Sequence, residues 1–134
     1  MKNKPLLPAI GWAIVILILC GIPGRDIPHI SFLELLSFDK WVHAGIFFIL
    51  VILLVRGFRL QQRAAYFRRQ APFMAAGLAI PYGGLLEIMQ GTFFSERSAD
   101  FYDFIANSFG CFMAILLYPV IAKKIPKLRL PLHG

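Results

Sequence analysis

Four long apolar stretches dominate the chain, and nearly all of its charge lies between them. Leu6–Pro23, Trp41–Val55 and Phe104–Ala122 contain no Asp, Glu, Lys or Arg, and Ala71–Ser95 contains only Glu87. A bilayer core about 30 Å thick is crossed by about 20 apolar residues in helical form. Hydrocarbon cannot satisfy exposed backbone polar groups, so segments of this length must be helical to cross it. The pattern predicts an all-α integral membrane four-helix bundle, one domain over residues 1–134, with spans at about 6–23, 40–57, 71–91 and 104–122. The second stretch is short, but Lys40 and Arg56 flank it and extend it by snorkelling to the two surfaces.

Two segments are ambiguous on pattern. Lys2 and Lys4 before an apolar run look like the start of a signal peptide. No small-x-small cleavage site follows, and Cys20 is preceded by Ile18 and Leu19 rather than by a small residue, so a retained first span is expected. Pro28–Phe38 mixes Ile30, Phe32, Leu33, Leu35 and Leu36 with polar residues. It suits a short interfacial amphipathic helix and a plain loop equally.

Composition agrees with a membrane protein. Hydrophobic residues make up 58% and charged residues 16%, with a mean hydropathy of +0.69. Soluble domains carry about 25% charged residues, and disorder requires the opposite balance. The net charge of +7 raises the question of nucleic acid, but no reading motif accompanies the basic residues. They are instead placed by side. Lys2, Lys4, Arg56, Arg59, Arg63, Arg68, Arg69, Lys123, Lys124, Lys127 and Arg129 fall on one side of the predicted bundle. Arg25, Lys40 and Arg97 share the other side with all seven acids. The positive-inside rule then gives an N-in/C-in topology, and the arginine loop would meet anionic headgroups. Cys20 and Cys111 are expected at different depths, which disfavours a disulfide. Trp12, Trp41, Tyr82 and Tyr102 are expected to be interfacial belt residues.

Polar residues inside the spans share one depth. Asp39, Lys40 and His43 open the second span, Glu87 and Gln90 close the third, and Arg97, Asp100, Asp103 and Asn107 lead into the fourth. Asp39 and His43 share a helical face. Ala75, Ala79, Gly83 and Glu87 form one row, and Asp103, Asn107, Gly110 and Ala114 another. Small residues on a row allow close helix contact, so the two rows are expected to pack together and bring Glu87 near Asn107. Pro81 is expected to kink the third helix. Each residue also has a plain structural role: Asp39 and Asp103 as caps, Lys40 as an anchor, His43 as a bonded core histidine, Asn107 as interhelical glue and Arg97 as a counter-ion. The layer as a whole exceeds what locking four helices requires, and ionisable groups at membrane depth default to function.

The same residues carry a family resemblance. "DKWVH" at Asp39–His43, "YGGLLEIMQ" at Tyr82–Gln90 and "RSADFYDFIANSFG" at Arg97–Gly110 occur in order. Over about 39–114 the chain resembles the VanZ-like family of small bacterial membrane proteins, named for a teicoplanin-resistance determinant. The resemblance implies a role in the cell envelope, in a bacterial cytoplasmic membrane, and low-level glycopeptide tolerance. It implies that Asp39, Lys40, His43, Glu87, Gln90, Arg97, Asp100, Asp103 and Asn107 are the characteristic polar residues. It supplies no chemical mechanism.

Three functions are compatible with this layer. In the first, an outward-facing site binds a lipid headgroup, a lipid-linked wall precursor or a glycopeptide, with Asp39, Lys40, Gln90, Asp100, Asp103 and Asn107 as ligand-binding residues. In the second, a hydrolase or transferase acts on an envelope lipid, with His43 or Glu87 as base and Arg97 stabilising negative charge. In the third, a proton-linked transporter uses Glu87 and His43; the layer is shallower than most transporter sites, and the chain has no repeat. An oxygen set of Glu87, Asp100 and Asp103 would suit magnesium or calcium. No dense ligand motif such as H-E-x-x-H occurs, so neither metal nor cofactor is assigned. Membrane lipids are the expected partners, nucleic acid is not, and the small-residue rows would also serve a homo-oligomer.

Overall fold

The computed structural model describes residues 4–20, 32–61, 65–92 and 101–125. Four helices account for them: α1 (Leu7–Cys20), α2 (Phe32–Gln61), α3 (Ala65–Thr92) and α4 (Phe101–Lys124). No strand occurs among the described residues. Among the described residues, three stretches are long and apolar enough to cross a membrane: Lys40–Leu60 of α2, Arg68–Met89 of α3 and Phe101–Lys124 of α4. α1 is a shorter apolar helix of 14 residues, which at 1.5 Å per residue covers about 21 Å.

The helices extend beyond the expected spans, and this changes several assignments. Phe32–Phe38 is neither a separate helix nor a loop but the first part of α2. Residues 28–31 lie outside the described residues. Asp39 is therefore well inside α2 and does not cap it. Asp103 lies in the first turn of α4, which starts at Phe101, so it is not the cap residue either. Arg56 and Arg59 ride on α2, and Arg68 and Arg69 on α3, rather than in a long loop.

Cross-helix contacts fix the directions. Lys40 and His43 near the start of the α2 span meet Asp103 and Asn107 at the start of α4. Arg59 near the end of α2 meets Arg68 at the start of α3 and Tyr118 near the end of α4. Thus α2 and α4 run parallel, with α3 antiparallel to both. At the start of α1, Leu6 lies against Gly57 near the end of α2, so α1 runs antiparallel to α2.

The core is built from a few large residues set among small ones. Phe47, Leu50, Val51, Val55, Leu86 and Tyr118 are buried together with Ala71, Ala75, Ala79 and Ala114. Outward faces carry Phe73, Leu85, Ile88, Phe112 and Leu116, all exposed. Lipid tails are as apolar as leucine, so large side chains are not driven inward there; close backbone approach at small residues holds the helices instead. Both predicted rows are buried. The α4 row does not pack solely on α3, however. Gly110 lies against the backbone of Ala44 on α2, whose carbonyl carbon would be 2.8 Å from a Cβ at Gly110. α2 meets α4 more extensively than any other pair of helices meets. Gly83 of the α3 row does meet α4: a Cβ there would stand 3.2 Å from Asn107 Nδ2.

Two polar clasps attach α1. Trp12 Nε1 donates to the Ile46 carbonyl at 2.8 Å. Tyr82 Oη donates to the Ala13 carbonyl at 2.6 Å. These two aromatics are half-buried interhelical links, whereas Trp41 and Tyr102 are exposed. A third polar link closes the opposite end of the bundle. Pro72 has no N–H, so it cannot donate to the carbonyl of Arg68 one turn earlier. Arg59 Nε donates to that carbonyl at 3.5 Å, and the Arg59 guanidinium lies 5.2 Å from the centre of the Tyr118 ring. α3 runs as one helix through both Pro72 and Pro81.

Candidate functional site

One helical turn separates Lys40 from His43 on α2, and one separates Asp103 from Asn107 on α4, so each pair lies on one face. Parallel packing of α2 on α4 at Gly110 and Ala44 brings the two pairs together. Lys40 Nζ is 2.6 Å from Asp103 Oδ1. His43 Nδ1 is 3.0 Å from Asn107 Oδ1. A side-chain amide oxygen only accepts, so His43 Nδ1–H is the donor. His43 Nε2 then faces the other oxygen of Asp103, Oδ2, at 3.7 Å.

α3 adds the fifth group. Glu87 is the last member of the buried row Ala75, Ala79, Gly83 and Glu87, and the row turns its carboxylate inward. One ligand atom each from His43, Glu87 and Asp103 lie within 4.8 Å of one another. All of these side chains are nearly inaccessible: His43 6%, Glu87 7%, Asp103 7% and Asn107 1% exposed. Lys40 is more open and forms the rim. Among the described residues, no buried side-chain nitrogen or oxygen is left without a partner. Burying two carboxylates is costly unless they are paired, and Lys40 supplies that pairing for Asp103.

Of the residues expected from sequence, the structure thus joins Lys40, His43, Glu87, Asp103 and Asn107. Asp39 and Gln90 lie on α2 and α3, where only their backbone is described. Arg97 and Asp100 lie outside the described residues. One neighbour of the site was not singled out for it. Phe47 lies beneath the cluster, 3.1 Å from where a Gly83 Cβ would be, and its ring centroid is 6.3 Å from that of Tyr82. Apolar residues at span positions carry no signal that separates such a floor from ordinary core. A separate groove of about 230 Å³, lined by Ala9, Ala13, Leu50, Leu54 and Tyr82, lies between α1, α2 and α3. None of the five residues of the cluster lines it.

Comparison with known proteins is sparse. The chain is 32% identical over 97 residues to an uncharacterised protein of the fission yeast Schizosaccharomyces pombe. The match covers 72% of this chain and 56% of the yeast protein, so it spans about half the length of that curated relative. No family model matches the chain, and no solved structure matches it.

Proposed function

We propose that this is an integral membrane protein of the VanZ-like kind, with both termini cytoplasmic, whose cluster of Lys40, His43, Glu87, Asp103 and Asn107 binds the polar headgroup of a lipid or lipid-linked wall precursor at the outer leaflet. The observation that carries this reading is the convergence of charged groups from α2, α3 and α4 on one buried point. Lys40 at the rim supplies a cation for phosphate or carboxylate, and Arg97 and Asp100 join it on the strength of the sequence alone. The bacterial envelope location and glycopeptide tolerance rest on the resemblance over 39–114. Phospholipid headgroups occur in every membrane, so a similar sequence in a fission yeast favours that ligand over a glycopeptide.

The test is a panel of phospholipids, lipid-linked precursors and a glycopeptide, scored by thermal stabilisation of the purified protein in detergent. At least one phosphate-bearing lipid is expected to raise the midpoint of wild type and not that of His43→Ala. No stabilisation by any panel member would remove the headgroup reading. One geometric feature favours a second reading, a hydrolase or transferase on the same lipid. Asn107 holds His43 through Nδ1, which leaves Nε2 as the nitrogen that would take a proton from a substrate. Conversion of a lipid that His43→Ala abolishes, with binding retained, would favour this second reading.

A further inference from the structure

The Nε2 side of His43 has a feature that headgroup binding does not use. Asn107 takes the Nδ1 proton, so in the neutral ring Nε2 presents a lone pair. Nε2 lies 3.7 Å from Asp103 Oδ2, and His43, Glu87 and Asp103 each place one ligand atom within 4.8 Å of the others. One imidazole nitrogen and two carboxylate oxygens, brought together from three helices, are a donor set for a cation.

The distances fit a metal ion. At 3.7 Å, Nε2 and Oδ2 are too far apart for a hydrogen bond between them. Two donors about 2.0–2.2 Å from one zinc ion in tetrahedral array lie roughly 3.3–3.6 Å apart. All three ligand atoms lie within 4.8 Å of one another, so a bound ion would draw them in by about an ångström. The surroundings fit as well. Metal-bound histidines donate their second ring N–H to a neighbouring acceptor, which fixes the tautomer, and carboxylate ligands are held in turn by further partners. Asn107 on Nδ1 and Lys40 on Asp103 Oδ1 occupy those two positions. One imidazole with two carboxylates suits zinc, manganese or ferrous iron better than magnesium or calcium, whose ligands are oxygens alone.

We infer that His43 Nε2, Glu87 and Asp103 Oδ2 form a three-ligand site for a divalent transition-metal ion of the zinc class. Three protein ligands leave a fourth position open, as in sites where a zinc-bound water or an anionic oxygen reacts or binds. That position would accept a phosphate oxygen of the headgroup proposed above, but metal binding itself does not depend on that reading.

The experiment uses the full chain, purified in detergent, stripped with chelator, and dialysed against Zn²⁺ or Co²⁺ without added lipid. One equivalent of Zn²⁺ is expected, and bound Co²⁺ should show the intense visible absorption of a low-coordinate site. His43→Asn and Glu87→Gln should abolish both signals, whereas His29→Asn, a distant histidine in sequence, should leave them unchanged. Asn107→Ala removes no ligand and should weaken affinity roughly 10–100-fold. Glu87→His, which keeps a ligand at that position, should retain one equivalent. The metal-free thermal midpoint of each variant reports whether it folds. If a variant does not fold, the wild-type Co²⁺ spectrum alone decides: weak, aqua-like absorption overturns the proposal. So does wild type that binds less than one equivalent, or His43→Asn that binds as wild type does. Lipid stabilisation without metal binding would overturn this inference and leave the headgroup reading standing.

Discussion

Gly110 on α4 rests directly on the carbonyl of Ala44 on α2, with no room between them for a methyl group. His43 is the residue before Ala44, and Asn107 lies one turn before Gly110, so this contact sets the distance across which Nδ1 and Oδ1 meet. Gly110→Ala should push the helices apart, costing about 1–3 kcal/mol in overpacking and loosening the site. Gly77→Ala is the control, since a Cβ there meets nothing within 4 Å. It should be neutral or stabilise by up to about 1 kcal/mol through helix propensity. Thermal midpoints in one detergent compare the two.

The two buried carboxylates should respond differently to neutralisation. Asp103→Asn breaks the 2.6 Å contact with Lys40 and should cost about 1–3 kcal/mol, as expected for a hydrogen bond to a charged group. Glu87→Gln removes one of two crowded negative charges and keeps the shape. Its midpoint should equal or exceed that of wild type, as for groups kept for function rather than stability. A loss of several degrees in Glu87→Gln would instead make that carboxylate part of the lock between helices.

Attachment of α1 rests on Trp12 and Tyr82. Tyr82→Phe should cost about 0.5–1.5 kcal/mol, the net worth of one hydrogen bond, and Trp12→Phe a similar amount. The effects should add, because the two bonds use different acceptors. Limited proteolysis should then cut before α1 sooner than in wild type.

At the opposite end, Arg59→Lys keeps the charge but loses the planar group that both stacks on Tyr118 and reaches the Arg68 carbonyl. Lysine cannot reproduce both contacts. A loss of about 1 kcal/mol is expected, read again as a shift of the thermal midpoint.

Reporter fusions test the membrane orientation. A cytoplasmic reporter at either terminus should be active, and a reporter that works only outside the cytoplasm should be silent at both. An external signal from the C-terminus would overturn the N-in/C-in arrangement.

Much of the site was legible because helical periodicity and depth are linear properties of a chain. A residue's position along an apolar run gives its depth, and spacing by four gives its face. That is why Lys40, His43, Glu87, Asp103 and Asn107 could be grouped before any coordinates. The cap roles of Asp39 and Asp103 were misread because helix formation does not stop where hydrophobicity stops: α2 and α4 start upstream of their apolar stretches. The links made by Trp12 and Tyr82 were missed for a different reason. Their acceptors are backbone carbonyls, which every residue has, so the sequence carries no trace of the partner.

The sequence by itself determined that the chain forms four apolar helices, and that their ionisable residues gather at one level. Burial of apolar surface and the need to satisfy backbone groups in hydrocarbon leave little choice on either point. Only the tertiary structure decided which small-residue rows meet. The α3 and α4 rows look alike in sequence, yet Gly110 docks on Ala44 of α2, because helix pairing depends on backbone shape in three dimensions. That docking brings His43 onto Asn107 and sets Nε2 3.7 Å from Asp103 Oδ2, and so gathers a layer of polar residues into one buried cluster.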